Sequence, residues 1–201
     1  MSRPPENMDI LATSAVGKEA AAHVPAWAAL LEHFYERLHQ PVPPLRQVQG
    51  DEMPQPYRKL LVHSLDMTPT LESFYGQTMR LKLLGRERDQ DCYLREVALQ
   101  SAGDQKSVEY GVIRIHLDRL PAKAAQRVLE EQRPLGNILQ TENVPHLSWP
   151  QAFFSLEADA HLFAVLGLTQ PSTLFGRRNV LLDARRSLLA DVIEILAPVE
   201  P

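Results

Sequence analysis

Between Met79 and Leu117 three strand-length runs follow one another with only short polar links, and links that short join antiparallel neighbours. In the first, Met79, Leu81 and Leu83 alternate with Arg80, Lys82 and Leu84, and a polar turn is expected around Gly85 to Gln90. The second runs from Cys92 to Gln100. Gly103 and Asp104 mark the next turn. The third runs from Val108 to Leu117, with Val112, Arg114 and His116 on one face and Ile113, Ile115 and Leu117 on the other. A last hairpin is expected from Arg177–Leu182 and Leu188–Leu196 across Asp183 to Ser187. Antiparallel strands in this number, with helices between them, define an α+β chain: an antiparallel β-sheet with helices on one side and helical flaps between strands.

Two of these strands carry a charge on an apolar face. In Leu188–Leu196, Glu194 shares its face with Leu188, Ala190, Val192 and Leu196. In the run from Tyr93 to Leu99, Arg95 shares its face with Tyr93, Val97 and Leu99. An unpaired charge on a buried face is expensive. Opposite charges of this kind indicate a structural ion pair, an exposed strand edge, or a pocket built for a polar ligand. Arg177 and Arg178 fall on opposite faces of their strand, which leaves one of them free to point inward.

The remaining segments read as helices and connections. Trp27, Leu30, Leu31, Phe34 and Leu38 recur at helical spacing, and Pro41, Pro43 and Pro44 end that helix. Residues 45–60 are polar and broken by proline, as a connection would be. Thr68 as cap, Pro69 at the first turn and Gly76 as stop predict a short helix. Pro121 opens another, to about Glu131. A short helix follows Arg133-Pro134-Leu135-Gly136. Phe153 to Leu166 reads as helical, with Glu157 and His161 one turn apart on it, and Pro171 and Gly176 bracket a loop.

Composition excludes several function classes. The net charge of −4 argues against a nucleic-acid or anionic-membrane partner. No run is long and apolar enough to span a membrane, and Met1 to Pro25 lacks the pattern of a secretory leader, so a cytoplasmic protein is expected. The single cysteine, Cys92, forms no intrachain disulfide and reads as a small buried residue. No metal-ligand spacing, phosphate-binding glycine loop or nucleophile elbow is present. His63 and His116 lie on elements expected to face the interior, where a histidine is ordinarily hydrogen-bonded in the core.

Five short pieces, in order, resemble the chorismate lyases (chorismate pyruvate-lyases). They are Met67-Thr68 before a short helix, Tyr93-Leu94-Arg95-Glu96 on a strand, Arg133-Pro134-Leu135-Gly136 in a flap, Phe175-Gly176-Arg177-Arg178, and Glu194 followed by Pro198. The resemblance covers about Leu60 to Pro198. It implies a chorismate lyase-like domain over 56–201 behind an N-terminal extension, 1–55, with one amphipathic helix. It also implies a lyase that converts chorismate to 4-hydroxybenzoate and pyruvate with no cofactor and no metal. Arg95 and Glu194 would be the catalytic residues, and backbone amides at Met67 and Leu135 would hold the small-molecule substrate beneath the flaps. Arg95 would take a substrate carboxylate. Glu194, desolvated on its apolar face, would have a raised pKa and act as general acid at the departing pyruvyl group. The alternatives are a stand-alone aromatic-acid-binding domain of the same fold, or a same-fold enzyme for another aromatic or polyketide intermediate. Oligomeric state is not legible in the sequence.

Overall fold

The computed structural model describes residues 24–199. The expectations for residues 1–23, weak order and no leader, lie outside the described residues. Helix α1 (Ala29–Arg37) follows a short 3-10 turn and precedes the edge strand β1 (Arg46–Val48). Two helices, α2 (Tyr57–Leu61) and α3 (Met67–Tyr75), lead into the meander β2 (Met79–Asp89), β3 (Cys92–Ser101) and β4 (Ser107–His116). Helices α4 (Ala122–Leu129) and α5 (Leu135–Thr141) come next. The chain then forms β5 (Leu147–Glu157), α6 (Ala160–Leu166), β6 (Thr173–Leu182) and β7 (Leu188–Leu196).

The seven strands form one sheet in the order β1-β5-β6-β7-β4-β3-β2, antiparallel throughout. Its logic is two meanders, β2-β3-β4 and β5-β6-β7, joined where β4 pairs with β7. The turns have local causes. Asp183 closes β6-β7 by accepting the backbone N–H groups of Arg185 and Ser187 on its side chain, each at 2.8 Å. Gly76 ends α3 in the left-handed conformation, φ +64°, where a side chain is strained.

Strand alternation sends two apolar sets to opposite faces. On one face α1 and α6 place Leu31, Phe34 and Leu162 over Leu94, Tyr110, Phe154 and Ile193. On the other, α4 and α5 cover Tyr93, Ile113, Ile115 and Ala190, and α2 and α3 cover Leu99 and Leu196. The second face is the one that carries Arg95 and Glu194. The helices above it are the flaps. The antiparallel α+β architecture is as expected, but helices cover both faces of the sheet and not one side alone.

Five local expectations are corrected. The polar connection at 45–60 contains β1, which pairs with Phe153–Ser155, and also helix α2. The stretch Phe153–Leu166 is not one helix, because strand β5 runs to Glu157. The helix begins only at Ala160, capped by the Asp159 side chain accepting from Leu162 N–H at 2.8 Å. Glu157 therefore bonds Thr173 across the sheet, while His161 reaches Glu96 on the other side of α6. Gly176 lies inside β6 and not in a loop. A Cβ there would sit 2.5 Å from the Glu194 carbonyl and 2.6 Å from the Phe154 ring, which itself packs on Trp27. The cap of α3 is Asp66, two residues earlier than Thr68. The expected turn over Gly85–Gln90 is strand as far as Asp89, with the register shifting between Leu83 and Gly85 as at a bulge, and the turn itself is confined to Gln90 and Asp91.

Candidate functional site

A cavity lies between the second face of the sheet and the tips of the flaps. Its floor is Arg95 and Val97 of β3, Glu109, Gly111 and Ile113 of β4, Val192 and Glu194 of β7, and Asn179 and Leu181 of β6. Its roof is Asp66–Thr68 at the start of α3 and Pro134–Gly136 at the start of α5. The four residues singled out from sequence, Arg95, Glu194, Met67 and Leu135, all line this one space, although they come from four separate elements. Met67 and Leu135 are each the first residue of a helix, where a backbone N–H has no carbonyl one turn back to bond.

Arg95 is 1% exposed, and its Nε has no hydrogen-bond partner. Its one hydrogen bond runs from Nη1 to the Arg133 carbonyl at 3.5 Å, a long contact. The adjacent Glu96 cannot neutralise it. Alternation puts Glu96 on the opposite face, where its Oε1 accepts from Tyr110 at 2.8 Å and lies 2.7 Å from His161 Nε2. Glu131, across the cavity edge, accepts from Tyr93 and pairs with Arg86. Desolvation lowers the Arg95 pKa to about 10, with the Glu131 charge opposing it only in part, so the guanidinium is still charged at neutral pH and carries that charge with no anion in ion-pair contact.

Glu194 has a different setting from the one expected. It is not a lone carboxylate: Arg177, fully buried and directly across the β6-β7 ladder, donates Nε to Glu194 Oε2 at 2.5 Å. The isolation on which the general-acid expectation rested is absent. Arg177 also donates to the carbonyls of Leu61, His63 and Leu65 at 3.1–3.2 Å, so one guanidinium ties Glu194 to the link between α2 and α3. Arg178 points the other way and pairs with Asp191 through two hydrogen bonds of 3.0 Å.

The carboxyl group without a cation is Glu109, which sequence reasoning passed over. It is 4% exposed and its Oε2 has no partner. Burial, and then the neighbouring Glu194 charge, push its pKa well above the carboxylate range. The signal was present in the sequence, since Glu109 shares a strand face with Gly111, Ile113 and Ile115. Buried polar atoms are nearly always paired. Among the described residues four buried side-chain atoms are not, and three of them, Arg95 Nε, Glu109 Oε2 and Asn179 Oδ1, belong to residues lining this cavity. That concentration fits a ligand site better than scattered packing defects.

The other candidates fall away. Cys92 is half-buried and burial raises its thiol pKa, the opposite of activation. The pKa of His116 is lowered by burial, as is that of His63, with Arg177 adding to the effect there. Among the described residues no group of three or more His, Cys, Asp or Glu is placed to hold a metal ion, and no helix is long and apolar enough to cross a membrane.

The cavity measures about 60 Å³. A dry cavity of about 150 Å³ is the size known to admit a benzene ring, so an aromatic ligand enters only if the flaps shift. The flaps meet through Asn137 and Glu72 (3.4 Å) and through His146 and Asp66 (2.8 Å). His146 Nδ1 also faces the Val144 carbonyl at 2.8 Å, so the doubly protonated ring satisfies both acceptors. The Asp66 hydrogen bond raises the His146 pKa above its usual 6.5. A raised pKa means that this contact stabilises the closed flaps fully below the unfolded-state value, roughly 6.5, and less as pH rises through the folded-state value. Hydrogen-exchange protection of the Thr70 and Leu71 amides, corrected for intrinsic rate, is therefore expected to fall as pH rises above about 6.5. In His146→Gln it should be flat. An unchanged pH profile in that variant would remove His146 as the cause.

No protein-family model matches the chain, and no curated protein sequence matches it. Solved structures do. A possible transcriptional regulator, YydK from Bacillus subtilis subsp. subtilis str. 168, matches over 89% of each chain at 14% identity with a TM-score of 0.50. PhnF from Mycobacterium smegmatis matches over 68% of this chain and 65% of its own length, at 12% identity and a TM-score of 0.49. The separate PhnF effector domain matches over 65% of this chain and 87% of its own, at 13% identity and a TM-score of 0.49. At these identities the likeness is one of fold.

Proposed function

We propose that the protein binds a small hydroxylated aromatic or cyclohexadienyl carboxylate in the flap-covered cavity, and that chorismate is the ligand it acts on. The observation that carries the reading is the buried, anion-free guanidinium of Arg95. A ligand carboxylate would supply the missing counter-charge through charge-assisted hydrogen bonds. The first-turn N–H groups of Met67 and Leu135 would add donors from the roof, and closed flaps would exclude water.

The elimination asks little of the protein. One ring C–H and the C–O bond to the enolpyruvyl group break, the ring becomes aromatic, and the enolpyruvate takes a proton to become pyruvate. Atoms balance without an oxidant, a reductant or a cofactor. Glu194 would serve the proton transfer, held in place by Arg177. From Arg95 to Glu194 is two strands across and two residues along, roughly 12 Å between Cα atoms at standard sheet spacings. A six-membered ring with polar groups at opposite ends spans that gap between two long side chains.

A second reading is binding without turnover, as in a sensor module, and the fold likeness to a possible transcriptional regulator favours it. One experiment separates the two. The purified protein is incubated with chorismate, and pyruvate and aromatic acids are followed by chromatography, with 4-hydroxybenzoate binding measured in parallel. Equimolar pyruvate and 4-hydroxybenzoate, lost in Glu194→Ala, support the lyase. Saturable binding of 4-hydroxybenzoate without turnover supports the sensor. Neither turnover nor binding rejects both.

A further inference from the structure

We infer that Glu109 reads the end of the ligand remote from Arg95, and that with Glu194 it selects monocarboxylates bearing a hydroxyl or ether oxygen at that far end. The inference rests on the binding reading above and adds the ligand's second functional group. Glu109 and Glu194 are diagonal neighbours on one face, since Gly111 stands opposite Glu194 and Glu109 lies two residues further along β4. Both line the cavity. Around them stand Arg177 on β6 and His63 and Asp66 from the flap, while Arg95 lies at the other end of the cavity, opposite Ile113. Among the described residues the guanidinium at this end, that of Arg177, is already committed to Glu194.

Two carboxylates against one cation in a water-poor site is an unbalanced charge, which proteins resolve by neutralising one of the pair. Glu109, the more isolated, is the one that keeps a proton, and burial and the Glu194 charge raise its pKa accordingly. A neutral carboxyl has an O–H to donate, and Glu109 Oε2 finds no acceptor in the protein. An acceptor oxygen on the ligand would complete it. A ligand hydroxyl does more, because it accepts from Glu109 and donates to the Glu194 carboxylate. An anionic far end would face the Glu194 charge and be rejected.

Binding of three probes to the full-length protein tests this: 4-hydroxybenzoate, benzoate and terephthalate, by calorimetry. The wild type should prefer 4-hydroxybenzoate to benzoate by about tenfold or more, the scale of one hydrogen bond to a charged or buried polar partner, and should bind terephthalate worst. In Glu109→Leu the ratio between the first two acids should collapse to about threefold or less. In Glu109→Gln, whose amide still donates, it should fall less. A full ratio retained in Glu109→Leu, or equal wild-type affinity for the two monocarboxylates, overturns the inference and leaves the binding reading intact. Failure of the wild type to bind any of the acids overturns both. A measurement independent of ligand and of the leucine variant is the infrared carbonyl band of a protonated carboxyl at neutral pH. It should be present in the wild type and missing in Glu109→Gln, and its absence from the wild type overturns the inference.

Discussion

Replacing Arg95 with methionine is expected to make the unliganded protein more stable while abolishing binding. Arg95 holds a charge in a buried place with no anion to answer it. The lowering of its pKa from 12.5 to about 10 sets the scale of that cost. At 1.36 kcal/mol per pKa unit this is about 3 kcal/mol. The sign is definite: a base whose folded-state pKa is lowered destabilises the fold wherever it is protonated, so the whole penalty is present at pH 7. Methionine is unbranched and adaptable, and it fills much of the same volume without charge. A gain of about 1–3 kcal/mol is expected, or very roughly 3–10 °C in melting temperature for a chain of this size. Affinity for 4-hydroxybenzoate should fall by about 100-fold or more, because removing one partner of a buried charge pair costs about 2–5 kcal/mol of binding. Stability given up at a site that needs it for function is the general pattern that this reading invokes. Melting curves and calorimetry on the one variant decide it. A protein that melts lower and still binds would mean that Arg95 is a structural residue.

How much of this was legible in the chain follows from what each signal encodes. Alternation along a strand reports which side chains share a face, and that sufficed to single out Arg95 and Glu194 and to order the meander around them. It does not report register. Arg177 stands directly opposite Glu194 only because β6 and β7 pair in one alignment, so an Arg177 free to point inward and a lone Glu194 were two observations with nothing in the sequence to join them. Glu109 passed unnoticed for a different reason. Its strand face was read from Val112 onward, although the face of Glu109, Gly111, Ile113 and Ile115 meets the same criterion as the faces of Arg95 and Glu194. Residues 153–166 misled because adjacent aromatics at Phe153 and Phe154 satisfy a helical and a two-residue period equally over so short a run. Asp159, which caps the true helix, was the signal that separated strand from helix.

The second large effect has the opposite sign on the same face of the same sheet. Arg177→Met is expected to destabilise the protein by about 3–5 kcal/mol, because it leaves the buried Glu194 carboxylate without its partner. The carbonyls of Leu61, His63 and Leu65 lose their donor at the same moment, which loosens the link that carries α3 over the cavity. Arg177→Lys should recover only part, since an ammonium cannot bond the carboxylate and three diverging carbonyls as a planar fork does. Removing both charges should cost less than removing one. In Arg177→Met/Glu194→Leu the buried pair is replaced by apolar volume, an exchange that is often neutral, though the three carbonyls remain unanswered. Urea unfolding of the two single variants and the double one measures the coupling as a double-mutant cycle. A double variant as unstable as the sum of the two singles would show that Arg177 and Glu194 do not act as a pair. If the coupling is large, the contrast with Arg95 is physical and not a matter of burial, since both guanidiniums are equally inaccessible. One has its anion supplied by the fold, and the other has a place left for an anion that the fold does not provide.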